Sequence, residues 1–95
     1  MRISILKLAR NDLKEIRDYL SGFGENPPRK FREDFERFCS QVVEMPNMYS
    51  VHELDSNYRK AVIIYDYLVF YKVENDKAIK IYRVLHGRRN AEMLL

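Results

Sequence analysis

Six side chains in the second half of this chain carry groups suited to acid–base or phosphate chemistry. They are Arg59, Lys60, Arg83, His86, Arg88 and Arg89, interleaved with Tyr65, Tyr67, Tyr71 and Tyr82. As a set they suit RNA cleavage. That reaction needs a base for a 2′-hydroxyl proton, cations for the charge that builds on the phosphorus centre, and an acid for the leaving oxygen. His86, with a reference pKa of roughly 6.5, supplies acid or base. Arg83 or Arg88 supplies the charge. The plainer reading of the same residues is structural. A single histidine at a strand end commonly serves as a hydrogen-bonded strut, and Arg88-Arg89 can form surface ion pairs worth under about 1 kcal/mol each.

Other chemistries find less support. Ser4, Ser21, Ser40, Ser50 and Ser56 lie in no nucleophile-elbow context, and Gly22-Phe23-Gly24 reads as a turn, not a phosphate loop. One cysteine and two separated histidines are a poor ligand supply, so no metal is expected. Cys39 allows no internal disulfide and, among Phe35, Phe38 and Val42, reads as a small buried hydrophobe.

The elements that must position the cationic groups are strands. Arg59 to Tyr65, Leu68 to Glu74 and Ala78 to His86 are apolar, β-prone runs. Tyr65-Asp66-Tyr67 and Glu74-Asn75-Asp76-Lys77 provide the reversals between them, which implies an antiparallel meander. The two later runs are apolar on both alternations, as central strands are. Tyr49 to Leu54 is a candidate short strand, and Arg2 to Leu8 reads as a strand that returns to the sheet at an edge or beside the last strand.

Between them lie two helices. Leu13, Ile16, Leu20 and Phe23 recur at helical spacing over about Ala9–Phe23, and Phe31, Phe35, Phe38, Val42 and Met45 over about Pro27–Met45. Asn26 is a candidate cap, Pro27-Pro28 suits a first turn, and Pro46 ends the second helix. Matching apolar stripes predict a helical hairpin packed through Leu13, Ile16, Leu20, Phe31, Phe35, Phe38 and Val42. The fold class expected is α+β: an N-terminal strand and a helical hairpin on one face of an antiparallel sheet.

A length of 95 residues suits one domain over 1–95, with roughly two-thirds of the unfolded surface buried. No apolar run approaches a membrane span, and Met1 to Lys7 lacks the apolar stretch of a signal peptide, so a cytoplasmic chain is expected. The formal charge is +3, but 57–89 holds eight Lys and Arg against Asp66, Glu74 and Asp76, a net +5. Such a concentration suits phosphate backbones or acidic protein surfaces, or else a solvated sheet face protected by lysines.

Three stretches carry a family resemblance: Tyr58-Arg59, Tyr67-Leu68-Val69-Phe70-Tyr71-Lys72-Val73 and Ile81-Tyr82-Arg83-Val84-Leu85-His86-Gly87-Arg88-Arg89. They resemble the C-terminal half of the RelE/ParE toxin superfamily, the toxins of type II toxin–antitoxin modules. The leading strand and two helices resemble its N-terminal half, so the likeness covers nearly the whole chain. It implies a compact sheet with two helices on one side; separately, no cofactor and no membrane partner are expected. It also implies a cognate antitoxin that wraps the toxin, with a homodimer or a toxin–antitoxin hetero-oligomer as the compatible assemblies.

Two activities follow from the resemblance. RelE-like members cleave mRNA in the ribosomal A site, and ParE-like members inhibit DNA gyrase. The RelE-like nucleases tend to carry an arginine where this chain has Leu68, and often a tyrosine near the C-terminus, where Asn90 to Leu95 has none. Of their arginines, the one after the last strand is retained, as Arg88, and Arg83-Val84-Leu85-His86 is closer to the ParE branch. The expectation is a ParE-like, plasmid-stabilisation type toxin that inhibits growth by binding gyrase without chemistry of its own. Its target contacts would be Arg83, His86, Arg88 and Arg89, with Met93, Leu94 and Leu95 meeting the antitoxin. The alternatives are a ribosome-dependent mRNA endonuclease using His86, Arg59, Arg83 and Arg88, and a non-toxic member that only binds its antitoxin.

Overall fold

Ile3 and Ile5 alternate with polar neighbours in a first strand, β1 (Arg2–Ile5), which is shorter than the expected run to Leu8. The helix takes over first. Leu6 stands at its N-cap, donating its amide to the Ile81 carbonyl at 3.0 Å and accepting the Arg10 amide on its own carbonyl at 2.9 Å. β1 therefore runs straight into helix α1 (Lys7–Ser21). The computed structural model describes residues 2–75 and 78–88.

Gly24, at φ 114, makes the left-handed step that a side chain would resist, and helix α2 (Asn26–Glu44) follows. Asn26 is not the cap. It is the first helical residue, Glu25 holds the cap position, and no side chain caps this end. Two residues after Asn26 stands Pro28, which has no amide to offer. The Asn26 carboxamide instead accepts a hydrogen bond from Arg29 Nη2 at 2.7 Å.

The helices bury the stripes that their spacing implied. Ala9, Ile16 and Leu20 from α1 and Phe31, Phe35, Phe38 and Val42 from α2 are buried, with Leu13 packed against them. Phe38 sits edge-on to Tyr71 of the sheet at 5.7 Å, and Phe31 edge-on to Tyr67 at 5.2 Å. Cys39 is half-buried beside this core, and burial pushes its thiol up to about 11.

Three further strands, β2 (Arg59–Ile63), β3 (Tyr67–Glu74) and β4 (Ala78–His86), form the expected antiparallel meander. The order across the sheet is β1-β4-β3-β2. β1 lies at an edge and beside the last strand, and it runs parallel to β4, so the sheet is mixed. The helical crossover between β1 and the meander is long enough to permit parallel pairing, as a tight turn is not. The expected strand at 49–54 reduces to one bridge, Val51 to Arg59.

Each helix also seals part of the sheet with an aspartate. β1 pairs with Ala78 to Ile81, and among the described residues no strand covers the outer edge of later β4. There Asp12 of α1 accepts the Val84 amide at 3.0 Å and is held by Arg83 at 2.8 and 3.0 Å. At the other edge Asp34 of α2 accepts the Ile64 amide at 2.8 Å and is held by Arg37 at 2.9 Å. A carboxylate on an edge amide removes a donor that another strand would otherwise use.

The second face of the sheet carries Leu68, Phe70 and Leu85, with Tyr58 packed on them. The β3–β4 register slips between Phe70 and Tyr71, so that Tyr82 is the extra residue of a bulge. Tyr82 and Tyr58 meet edge-to-face at 5.2 Å, and the Lys72 ammonium lies 4.5 Å from the Tyr58 ring centre and 5.1 Å from that of Tyr82. His52 is buried against Phe70 with neither ring nitrogen hydrogen-bonded.

Candidate functional site

The cationic set divides among separate partners. Arg59, on the helix-covered face of β2, donates from Nη1 to the Tyr49 carbonyl at 2.6 Å and so fastens the connection between α2 and β2. Beside it Tyr71 donates its hydroxyl to the Pro46 carbonyl at 2.8 Å. Burial pushes that hydroxyl up to about 12, against the opposing pull of Arg59. Lys60 pairs with Glu53 at 3.2 Å and Lys80 with Glu74 at 2.9 Å.

Arg83 is committed to α1. Its Nε and Nη2 form a two-point bond to the Asp12 carboxylate, which raises the guanidinium further above its ordinary range. The arginine thereby compensates a carboxylate that is only 7% exposed. Its role in the fold is a strut between helix and sheet.

Among the described residues, His86 and Arg88 are the members of the set that meet. His86, the last residue of β4, faces the helix side and lies edge-on to Tyr67 at 5.1 Å. Its Nδ1 accepts the Arg88 amide at 3.3 Å. The Arg88 side chain is 85% exposed, and its Nε stands 3.8 Å from Asp66. Arg89, Met93, Leu94 and Leu95 lie outside the described residues.

His86 opens onto a cleft of about 280 Å³ that it shares with Tyr19, Leu20, Phe23, Pro27, Tyr65 and Tyr67. Tyr19 and Phe23 meet edge-to-face at 5.3 Å, and Phe23 is 66% exposed. Sequence reasoning did not place these rings at the site. Phe23 extends the α1 stripe and so reads as core, but the helix ends at Ser21 and turns Phe23 outward.

A second feature was also missed. Between α1 and α2 runs a groove of about 420 Å³ whose apolar lining comes from Leu13, Pro28, Phe31 and Phe35. Lys14, Arg17, Arg29 and Arg32 surround it. A signal was present: Lys14 and Arg17 sit three apart on one helix, as do Arg29 and Arg32 on the other. The segment charge of −2 outside 57–89 hid it, because four cations on one seam are offset by acids on other faces.

Among the described residues no group of three or more His, Cys, Asp and Glu is placed to hold a metal ion, and no helix is long and apolar enough to cross a membrane. Two places combine apolar surface with polar or cationic groups: the groove between the helices, ringed by four cations, and the aromatic cleft that His86 lines.

Residues 3–91 match the family model described as "ParE toxin of type II toxin-antitoxin system, parDE". Among solved structures the chain is similar to one described as "Chromosomal ParDE TA system from P. aeruginosa", with a TM-score of 0.64 and 18% identity over 90% of this chain and 95% of that one. At that identity the likeness speaks for the fold: two helices on a four-stranded mixed sheet. No curated protein matches the sequence.

Proposed function

The chain belongs to the ParE toxin family of type II toxin–antitoxin systems, and from that premise we propose that it inhibits growth in the cytoplasm by binding DNA gyrase. It does so without chemistry of its own, through His86, Arg88 and the adjoining Arg89. The observation that carries this reading is the dispersal of the groups a nuclease would gather. Arg83 is bound by Asp12 and Arg59 by the Tyr49 carbonyl, so neither is poised beside His86 to neutralise a phosphorane. What stays together is one histidine and one exposed arginine beside aromatic rings, a composition typical of protein contact sites.

The antitoxin is the second partner, and its proposed seat is the groove between α1 and α2. Phe31 and Phe35 supply apolar surface there, and four cations favour a helix that is apolar on one side and acidic on the other. Met93, Leu94 and Leu95, which lie outside the described residues, are proposed to meet the antitoxin as well.

Inducing the toxin in cells without its antitoxin tests the reading. DNA breaks and an SOS response ahead of any fall in translation are the expected result. Early translational arrest with cut mRNA would favour the nuclease instead. Normal growth with intact antitoxin binding would mark a member that only binds its antitoxin.

A further inference from the structure

The positive charge of 57–89 is only partly used by the features described so far. Arg59 and Arg83 are bound on the helix side, and Arg88 lies beyond β4 near Asp66. Lys60, Lys72 and Lys80 are left, and strand register puts all three on the face away from the helices. Lys72 alternates with Phe70 of that face, Lys60 pairs with Phe70, and Lys80 pairs with Lys72.

The usual reason for lysines on a sheet does not apply to Lys72 and Lys80. Lysines guard sheet edges, and these two stand on β3 and β4, the central strands of the order β1-β4-β3-β2. They are also directly opposite each other, and a like-charge cross-strand pair destabilises a sheet. One carboxylate serves the pair, Glu74, which holds Lys80 at 2.9 Å. Among the described residues the Lys72 ammonium has no hydrogen-bond acceptor and meets the rings of Tyr58 and Tyr82 instead. Tyr82 is the extra residue of the β4 bulge, a device that commonly re-aims a side chain. The exposed Ser4, paired with Lys80 from β1, continues the row across a third strand.

We propose that this sheet face binds single-stranded nucleic acid, with backbone phosphates at Lys72 and Lys80 and bases against the rings of Tyr58 and Tyr82. Lysine meets a phosphate as a point charge, whereas planar recognition of a carboxylate favours the arginine fork. The central strands offer lysines and no arginine on this face. Every base has a π-face for a tyrosine ring, and in a single strand that face is free. In a duplex the bases are stacked, and a four-stranded sheet is too broad to reach their edges in a groove. The surface is separate from the groove between the helices and from His86 and Arg88, so it does not depend on which enzyme the toxin inhibits.

Fluorescence anisotropy of purified toxin tests this. The probes are labelled thymidine and uridine oligomers of about twelve nucleotides, within the site sizes of such surfaces, and a duplex of equal length. The single strands are expected to bind at least about tenfold more tightly than the duplex. Lys72→Gln and Lys80→Gln should keep the parent melting temperature, weaken binding at least about fivefold, and each lower the salt slope by about 0.7. Tyr82→Leu should weaken it about fivefold or more through lost stacking. Lys30→Gln, at an exposed site on α2, should bind like the parent. If Lys72→Gln melts early, Lys80→Gln decides, since its side chain is 38% exposed. Binding of either oligomer supports the proposal, and the tighter one identifies DNA or RNA as the source. Absence of single-strand binding would overturn it, as would an equal loss in Lys30→Gln or a duplex bound as tightly. Competition by polyglutamate as effective as by unlabelled oligomer would assign the face to an acidic protein instead. Single-strand binding by a toxin that leaves gyrase untouched would remove gyrase as the target and keep this surface.

Discussion

Asp12→Ala is the most informative single change to the fold. Asp12 is 7% exposed and accepts three hydrogen bonds, two from Arg83 and one from the Val84 amide. Alanine leaves the Val84 amide without an acceptor on an edge that α1 keeps from water, at about 1–3 kcal/mol. It also strands the Arg83 guanidinium. Removing one partner of a fully buried pair costs about 3–5 kcal/mol. The Arg83 side chain is 31% exposed and recovers part of that from water. Together these give a loss of about 3 kcal/mol, or ~12–24 °C in melting temperature for a chain of this size. Asn should do less harm, because its single carbonyl oxygen still accepts the Val84 amide. Thermal denaturation of both variants, with hydrogen exchange at the Val84 amide, reads the effect directly. An unchanged melting temperature in Asp12→Ala, or an unprotected Val84 amide in the parent, would refute the edge-capping role.

Further outcomes follow from the same packing. Phe35→Ala, at a site 7% exposed within the α2 stripe, should cost about 3–5 kcal/mol by denaturant unfolding. Reversing Arg29 and Arg32 to Glu should weaken antitoxin binding, mainly by slowing association, and the deficit should shrink at high salt. A stopped-flow series over ionic strength measures it. Burial raises the Asp34 carboxyl, but hydrogen bonds from Arg37 and the Ile64 amide outweigh it and hold the pKa below its ordinary value. A depressed folded-state pKa gives stability that is present above the unfolded value of roughly 3.9 and is lost as pH falls through the lower folded one. Asp34→Asn should therefore flatten part of the acid limb of a stability–pH curve and leave its neutral-to-alkaline shape unchanged.

Much of the fold was legible because it rests on periodicity. The Phe31, Phe35, Phe38 and Val42 stripe and the three-strand meander need only local pattern to be seen. The parallel pairing of β1 with β4 is not local, since its partners lie some seventy-six positions apart, as Arg2 and Ala78 do. Asp12 left a trace in sequence: it shares a helix face with Ala9, Ile16 and Leu20, a polar residue within an apolar stripe. Its partner was the missing half, because Arg83 reads equally well as a phosphate ligand. The His86–Arg88 contact follows from two residues of separation and was visible for that reason. The cleft was not, because it joins the end of α1 to a reversal whose conformation depends on Asp34, thirty residues before Ile64. Likewise the groove cations come in pairs from two helices, and only packing brings the pairs to one seam.

Gyrase supercoiling by purified enzyme, titrated with purified toxin, tests the central claim most directly. Programmed ribosomes serve as the parallel substrate. The account predicts that the parent toxin inhibits supercoiling, that Arg88→Glu weakens inhibition while leaving the melting temperature in place, and that ribosome-bound mRNA stays intact. Untouched supercoiling together with mRNA cut by the parent, and not by His86→Ala, would contradict it.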